Sequence, residues 1–445
     1  MGPDEPRYAS IGREMANSGD WVTPRLNGSP WFEKPPLIYW MTGVANRLGL
    51  RDEWAARLPV ALMSLAFLAF FFETLRREFS GRVAITATAI LGSSAGWLAA
   101  SFAAVPDLPM SAALGAAMFV SLFGAQPQRG WLAGAFLGLA VLAKGFVPLA
   151  LFVPVLLVNR GRRLATITVA FLVAAPWYVL CLARNGSAFW NEFFWKHHIE
   201  RALSADAIQH GQPFWYYLPV LLTGLFPWTP LAALMTRGKT YEDARVRFLS
   251  IWFLAALVFF SLVPNKLPLY VLPLMPSLAI VLATAVDKAP RREWWIGASV
   301  FLLVLLPSIG NGLPEAILVG ATKTHWSFSP IGLSFVAVTA VVWWLARRGQ
   351  LPEAMLLGAV AVVLGGGLLK IRTLPLLEQR DSVRTFYRSH QTQLADACID
   401  SSVSRSWAYG IEYYAGRGLP ECGRSPRAKW QIRAKDGALL IDPGS

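Results

Sequence analysis

The sequence has few charged residues, and this scarcity excludes an ordinary soluble protein. Only 15% of its 445 residues are Asp, Glu, Lys or Arg, whereas about a quarter is usual for a soluble domain. Hydrophobic residues make up 55% of the chain, and the mean hydropathy is +0.43. Helices that face lipid produce such a deficit, because each charge at the bilayer centre costs at least about 2.5 kcal/mol to insert. The composition therefore predicts an all-α polytopic membrane protein.

Cysteine and histidine are also scarce, with three and five residues, and no C-x-x-C pair occurs. Basic residues number 41 against 27 acidic ones, which gives a net charge of +14. The basic residues lie in short clusters between apolar runs, where they set the membrane orientation, so nucleic-acid binding is not expected. The polar opening of the chain is unlike a cleavable signal peptide.

About twelve apolar runs are long enough to cross, or nearly cross, roughly 30 Å of hydrocarbon. They are 55–75, 83–102, 109–125, 131–143, 146–158, 164–183, 215–235, 248–263, 267–286, 294–312, 329–346 and 353–369. The two runs that Lys144-Gly145 separates form either a re-entrant hairpin or two short spans. Both choices leave the later loops on the same sides.

The positions of Lys and Arg predict the orientation of these spans. Basic clusters all fall on one side if the runs alternate, at 76–82, 129, 160–163, 237–247, 288–292 and 347–348. The opposite loops hold far fewer basic residues, with none at 103–108. The basic side is therefore predicted to be cytoplasmic. The N-terminal segment, the loop around 184–214 and the tail from about 370 are predicted to lie outside.

Two domains are predicted. Residues 1–369 form a transmembrane domain, in which 1–54 are the first extracytoplasmic loop with interfacial helices. Residues 370–445 form a small soluble extracytoplasmic α/β domain, with a helical pattern near Ser382–Leu394 and strand-like stretches near 430–433 and 438–441. Cys398 and Cys422 would share an oxidising compartment there, so they form either a disulfide or two buried thiols.

The first 50 residues carry most of the candidate chemistry. Pro6 suits a first helical turn and Gly19 suits a helix stop, which predicts a helix between them. Its start carries the side chains of Asp4, Glu5, Arg7 and Tyr8. The paired prolines of Glu33-Lys34-Pro35-Pro36 then hold a loop extended. Apolar residues at helical spacing from Leu37 to Leu48 predict a helix that lies in the membrane interface.

Three later outside segments bring further ionisable side chains. Asp107 lies in a short loop between two spans, and Lys266 and Tyr270 lie at another outside turn. The 184–214 loop supplies Glu192, Lys196, His197, His198, Arg201 and His210.

Several of these stretches resemble, in the same order, the motifs of one family. The first are Asp4-Glu5-Pro6-Arg7-Tyr8-Ala9, Gly19-Asp20-Trp21-Val22, Phe32-Glu33-Lys34-Pro35-Pro36 and Ala56-Arg57-Leu58-Pro59. The later ones are Pro106-Asp107, Ala143-Lys144-Gly145, His210-Gly211-Gln212-Pro213-Phe214-Trp215-Tyr216-Tyr217, Phe226-Pro227-Trp228 and Lys266-Leu267-Pro268-Leu269-Tyr270. From about residue 3 to about 285 the chain resembles the protein mannosyltransferase and lipid A aminoarabinose transferase family, which has the GT-C membrane fold.

The resemblance implies an inverting glycosyltransferase of the bacterial cytoplasmic membrane. Its donor would be a sugar on a polyprenyl phosphate such as undecaprenyl phosphate. Its acceptor would be an envelope lipid such as lipid A, a glycan or a protein, reached from the extracytoplasmic side. The family has a span before the Asp-Glu pair, so a thirteenth span is expected ahead of this sequence, lost through truncation or a mis-assigned start. If no such span precedes the sequence, Asp4 lacks the membrane anchor that it has in the family.

The resemblance also implies roles for individual residues. Asp4 is the predicted catalytic carboxylate, Lys34 the predicted ligand of the lipid phosphate, and Asp107 a second acidic site residue. The chemistry suits these types, because fixed cations stabilise a leaving phosphate and a carboxylate can take a proton from a hydroxyl acceptor. Further candidates are Glu5 as a catalytic residue, His198, Arg201 and Lys266 at the donor phosphate, and Arg7, Tyr8, Glu33, His210 and Tyr270 at the substrate.

Most of these residues also have a structural explanation. A carboxylate at the start of a helix, such as Asp4, Glu5 or Asp107, stabilises the helix dipole. An interfacial lysine such as Lys34 can extend its ammonium to water, and Lys144 is either a structural partner or part of the site. The sequence requires no cofactor, and a divalent metal on Asp4, Glu5 and Asp107 remains open.

Two other classes of protein compete with an enzyme. A secondary transporter would keep ionisable groups near the bilayer midplane, but the predicted span interiors are almost free of charge. A lipid-binding scaffold without catalysis would have the same spans, and it would not depend on the carboxylate of Asp4.

Overall fold

The structure is a computed structural model. It describes residues 2, 4–123, 129–200, 211–320, 323–381, 383–424, 428–435 and 438–444. Helices dominate this part of the chain, and two small β-sheets accompany them.

The described residues contain seven helices that are long and apolar enough to cross a membrane. These are Asp52–Glu78, Arg160–Lys196, Ala244–Leu262, Pro268–Lys288, Arg292–Ala316, Pro330–Arg347 and Leu351–Ile371. Two bent pairs raise the number to nine, and shorter helices fill the remaining predicted runs at Asp107–Leu122, Arg129–Lys144 and Val147–Val158. The prediction of an all-α polytopic protein is confirmed.

The helix Pro268–Lys288 forms the centre of the bundle. Of the most apolar 18-residue stretch of this helix, 89% is buried inside the protein, whereas the value for the corresponding stretch of Asp52–Glu78 is 28%. The outer helices expose large apolar side chains such as Leu65 and Phe171. In a membrane these side chains contact lipid, so their exposure is consistent with the span assignment.

The two bent pairs meet at their breaks. One pair is Gly81–Ser93 with Ala95–Ser101, bent by 64°, and the other is Phe214–Gly224 with Thr229–Thr236, bent by 117°. The Ala95 amide donates a hydrogen bond to the Phe226 carbonyl over 2.9 Å, and the Trp228 indole donates to Ser93 Oγ over 2.9 Å. Polar groups at one break therefore find hydrogen-bond partners at the other break, where no water is needed to satisfy them.

The N-terminal segment forms two helices, which we label α1 (Glu5–Ser18) and α2 (Leu37–Arg47). A two-stranded hairpin of Arg25–Leu26 and Ser29–Pro30 lies between them. Both predicted helices are confirmed, and α1 ends at Gly19, whose φ of 74° suits glycine. The helices cross closely at Gly12, where an added Cβ would come within 2.7 Å of the Tyr39 carbonyl oxygen.

The tail forms a small α/β unit. Its sheet has the strands Ala397–Ile399, Trp430–Lys435 and Ala438–Pro443, the first pair parallel and the second antiparallel. Its helices are Val383–Ser389, Gln391–Leu394 and Arg405–Ala415. Cys398 and Cys422 form a disulfide. The preceding helix Leu351–Asp381 runs past the expected boundary at residue 369, so residues 370–381 continue the helix rather than begin the compact unit.

The tail lies against the N-terminal segment through the helix Arg405–Ala415, which we call the docking helix. Tyr413 Oη donates to the Asp52 carbonyl over 2.8 Å, and Asn27 Nδ2 donates to Glu412 Oε2 over 2.8 Å. Asn185, at the start of the 184–214 loop, donates a hydrogen bond from Nδ2 to Thr23 Oγ1 over 2.9 Å. The described parts of the three segments predicted to lie outside therefore contact one another.

Candidate active site

An ion-pair cluster forms at the start of α1. Arg7 lies one turn after Asp4, so its Nη2 reaches Asp4 Oδ1 at 3.0 Å, and its Nη1 reaches Glu33 Oε2 at 2.9 Å. The Arg7 side chain is 7% exposed, whereas that of Asp4 is 60% exposed. Burial lowers the pKa of Arg7, but the carboxylate of Glu33, the Tyr8 hydroxyl and Asp4 outweigh it and raise the pKa above its usual range. Arg7 is thus a fixed cation that holds Asp4 at the surface.

Aromatic rings surround the Arg7 guanidinium. Its carbon lies 5.0 Å from the ring centroid of Tyr8 and 5.7 Å from those of Trp31 and Tyr409. Arg7 Nη2 also donates to the Tyr8 hydroxyl over 3.3 Å. Burial, followed by the negative charge of Glu33, raises the pKa of Tyr8 above its usual range. Tyr8 therefore stays a neutral phenol at neutral pH. It can donate a hydrogen bond, but it cannot act as a general base.

The extended loop before α2 supplies the next charges. Glu33 faces Arg7, and Lys34 Nζ lies 3.7 Å from Glu33 Oε1. The prolines at 35 and 36 immediately precede the first residue of α2, which fixes this loop against the helix. The structure therefore brings the predicted residues Asp4, Arg7, Tyr8, Glu33 and Lys34 into one cluster.

Glu5 occupies a different position from its neighbour Asp4. It is buried, and Arg57 donates to its two oxygens over 2.8 and 2.6 Å. The amide of Ala104 donates to it over 2.7 Å, and the amide of Gly2 also contacts it. Burial raises its pKa, but the bonds from Arg57 outweigh this and the net shift is downward. Because both oxygens already accept hydrogen bonds, the structure favours a structural role over the catalytic one considered for Glu5.

Asp107 and Lys144 form a second charged pair. Asp107 begins its helix and Lys144 ends another, and Lys144 Nζ contacts Asp107 Oδ1. The two side chains are 11% and 12% exposed. Lys144 Nζ also lies 4.5 Å from the ring centroid of Tyr270. The bond from the Ala104 amide to Glu5 ties the segment before Asp107 to the start of α1.

Lys266 is held by the segment that resembles the family's His-Gly-Gln-Pro motif. Its Nζ donates to the Gln212 carbonyl over 3.0 Å, and Asn265 pairs with Gly211 in an isolated β-bridge. Lys266 is 4% exposed, so a phosphate would reach it only through a local rearrangement. The structure thus joins two motifs that the sequence separates, without bringing Lys266 to the surface.

Some predicted residues fall outside the described part of the chain. Arg201 and His210 lie there, and so does the side chain of His198. Within the described residues, no three His, Cys, Asp or Glu side chains converge to hold a metal. Asp4, Glu5 and Asp107, the open candidates for a metal, therefore form no such group here.

Sequence reasoning missed three residues around the cluster: Arg57, Arg405 and Tyr409. Arg57 lies inside the Ala56-Arg57-Leu58-Pro59 motif, so the motif itself was a signal for it. Arg405 and Tyr409 lie in the tail, beyond the resemblance, and no feature of the sequence pairs them with Arg7. Only the docking of the tail brings them there.

The chain matches known proteins in both sequence and structure. Residues 33–184 match the family model for dolichyl-phosphate-mannose-protein mannosyltransferase. The undecaprenyl phosphate-alpha-4-amino-4-deoxy-L-arabinose arabinosyl transferase 1 of Pseudomonas fluorescens (strain Pf0-1) is 30% identical, over 88% of this chain and 73% of that protein. The transferase with the corresponding name from Pectobacterium carotovorum subsp. carotovorum (strain PC1) is 32% identical, over 92% and 79%.

Solved structures give the same result. The crystal structure of ArnT from Cupriavidus metallidurans in the apo state has a TM-score of 0.78 and 24% identity. The crystal structure of the same protein bound to undecaprenyl phosphate has a TM-score of 0.77 and 25% identity. Each match covers 99% of this chain and 93% of the other.

Proposed function

Because this chain belongs to the protein mannosyltransferase and lipid A aminoarabinose transferase family, we propose that it transfers an aminoarabinose from undecaprenyl phosphate to lipid A at the outer face of the membrane. The protein is a polytopic protein of the bacterial inner membrane with the GT-C fold. It is a glycosyltransferase that uses a polyprenyl-phosphate sugar. Three points are our proposal: the identity of the sugar, the identity of the acceptor, and the side of the membrane on which transfer takes place.

The observation that carries the proposal is the cluster of Asp4, Arg7, Glu33 and Lys34. Two segments separated by a hairpin place an exposed carboxylate beside fixed cations. They contact the docked tail, and the distribution of Lys and Arg predicts that these segments face away from the cytoplasm. An acceptor that arrives from outside the cell would meet Asp4 first.

The proposed reaction is an in-line displacement at the anomeric carbon. An oxygen of the acceptor attacks this carbon as its bond to the carrier phosphate breaks, and the phosphate leaves with the bonding electrons. Lys34 stabilises the negative charge that the phosphate gains, and Arg7 keeps the surrounding carboxylates in place. If the acceptor is a hydroxyl, Asp4 takes its proton; if the acceptor is a phosphate, Asp4 orients it.

Mass spectrometry of envelope lipids tests this function directly. Cells with the gene should contain lipid A that carries an aminopentose, and cells without the gene should lack it. Restoring the wild-type gene should restore the modified lipid. If lipid A is unchanged by deletion while a glycoprotein or another envelope glycan loses a sugar, the acceptor is wrong although the chain remains a transferase.

Replacing Lys34 by alanine tests the proposed phosphate ligand. We expect the turnover of sugar transfer to fall about 100- to 1000-fold, because one preorganised cation beside developing charge is removed. The measurement is the initial rate of transfer by purified protein with saturating donor. Lys429→Ala is the matched control, because this lysine lies in the tail and its side chain is 78% exposed. Turnover of Lys34→Ala equal to that of the control would rule out the assignment.

A further inference from the structure

The tail places a second guanidinium beside the candidate active site. Arg405, at the start of the docking helix, lies 5.5 Å from the ring centroid of Trp31 and 5.3 Å from that of Tyr409. Arg7 lies 5.7 Å from both of these rings. The two rings pack edge to face with their centroids 6.5 Å apart. One aromatic pair, contributed by the N-terminal segment and the tail, therefore carries both cations.

The two cations differ in their partners. Arg7 is buried and ion-paired with both Asp4 and Glu33. Arg405 is exposed, and within the described part of the chain it makes no ion pair. Its Nε donates to Tyr409 Oη over 2.6 Å, which fixes the plane of the guanidinium. Its terminal nitrogens have no acceptor among the described residues, so they are available to a ligand.

Trp31, whose ring centroid lies 5.5 Å from the Arg405 guanidinium carbon, carries a further hydrogen-bond donor. Trp31 Nε1 is buried and has no hydrogen-bond acceptor within the described residues. A buried N–H without an acceptor is costly, so a ligand oxygen that reached this indole would satisfy it. The terminal nitrogens of Arg405 and the Trp31 indole together offer a planar fork and a further donor, the set of donors that suits the oxygens of a phosphate.

The charges at the cluster create a need for such a site. Asp4 and Glu33 are both carboxylates, and they repel an acceptor that carries phosphate. Arg7 and Lys34 balance these two carboxylates, so the cluster has no net positive charge to offset a further phosphate. Arg405 is the next cation along the aromatic pair, and it belongs to the docking helix, which contacts the N-terminal segment.

We propose that Arg405, oriented by Tyr409 and stacked beside Trp31, binds a phosphate group of the acceptor and so makes the tail a determinant of acceptor choice. This inference rests on the proposed function. The phosphate of the lipid carrier could bind an arginine in the same way. Its proposed ligand is Lys34, however, which belongs to the loop before α2, whereas Arg405 belongs to the tail. The acceptor enters from the outside, past the tail.

Steady-state kinetics with the full-length protein test the inference. Purified protein is given undecaprenyl-phosphate aminoarabinose as donor and lipid A as acceptor, and each is varied while the other is saturating. For Arg405→Ala we expect KM for lipid A to rise about 10- to 100-fold, because a charge-assisted, two-pronged contact is lost. KM for the donor and kcat should stay within about twofold of wild type.

Three further variants separate binding from a structural effect. Arg405→Lys should recover part of the affinity for lipid A, since it restores the charge without the planar fork. Tyr409→Phe should raise KM for lipid A by a smaller factor, because it removes only the oxygen that orients Arg405. Arg424→Ala, an exposed arginine of the tail that pairs with Glu421, should behave as wild type.

Other outcomes would overturn the inference. A rise in KM for the donor alone would assign the phosphate to the carrier, and unchanged constants would mean that no anion binds Arg405. A fall in kcat with both KM values unchanged would indicate that Arg405 only supports the packing of the tail. If the wild-type protein itself transfers no sugar to lipid A, the proposed function fails together with the inference. If wild type transfers and Arg405→Ala is normal, only the inference fails.

Discussion

Replacing Asp4 by asparagine is expected to lower the turnover of sugar transfer at least about 100-fold, because a placed carboxylate contributes about 10²- to 10⁴-fold to such a reaction. The structure gives Asp4 the right setting for this role. One oxygen is held by Arg7, and the side chain remains largely exposed to an incoming acceptor. The substitution keeps the size of the side chain and removes only its charge. The measurement is kcat at saturating donor and acceptor.

The control for Asp4 is a carboxylate far from the cluster in sequence. Asp442→Asn, at an exposed position in the last strand, should retain wild-type turnover. The amide of Asp4→Asn can still accept from Arg7, so the amount and thermal stability of the purified protein should not change. A variant with normal kcat would refute a catalytic role and leave Asp4 as a residue that only stabilises the start of α1.

Replacing Lys144 by methionine is expected to destabilise the folded protein by about 3–5 kcal/mol, because it leaves the carboxylate of Asp107 buried without its partner. Both side chains are nearly nine-tenths buried, and Lys144 also loses its contact with the Tyr270 ring. The midpoint of thermal unfolding in detergent, followed by tryptophan fluorescence, should fall markedly. Transfer activity should be measured at a temperature where the variant is still folded.

The double variant Asp107→Leu with Lys144→Met separates stability from function. It removes both charges together, so most of the lost stability should return. If Asp107 also takes part in transfer, as the resemblance implies, the double variant remains inactive although it is stable. A stable and fully active double variant would make the pair purely structural. Equal midpoints for the single and double variants would contradict the buried pairing itself.

Much of the architecture could be predicted because its causes are local. The spans follow from runs of apolar residues, and the helix α1 follows from Pro6 at its start and Gly19 at its end. The same reasoning found α2 after the paired prolines. It also predicted strand-like stretches near 430–433 and 438–441, which the structure extends to the strands Trp430–Lys435 and Ala438–Pro443. Each of these depends on a few neighbouring residues, and a window of sequence contains them all.

The environment of the site could be predicted only in part. Motif order indicated that Asp4, Arg7 and Lys34 belong together, and the structure places them in one cluster. Motif resemblance favoured Asp4 over the adjacent Glu5, but both are acids at the start of a helix, and the sequence alone does not show their partners. Arg57 and the Ala104 amide occupy Glu5, whereas Asp4 stays exposed. The distinction comes from partners that lie 52 and 99 residues away.

The sequence by itself determined that the chain lies in a membrane and where its apolar helices fall, because hydropathy and backbone restrictions act over short distances. Tertiary structure alone decided that Lys144 neutralises Asp107 and that Arg405 and Tyr409 from the tail stand beside Arg7. Such contacts join distant parts of the chain, and they depend on how helices pack around Pro268–Lys288 and how the tail docks. The sequence shows which side chains are charged, but only their burial and their partners in the fold determine whether each one supports the structure or contacts a substrate.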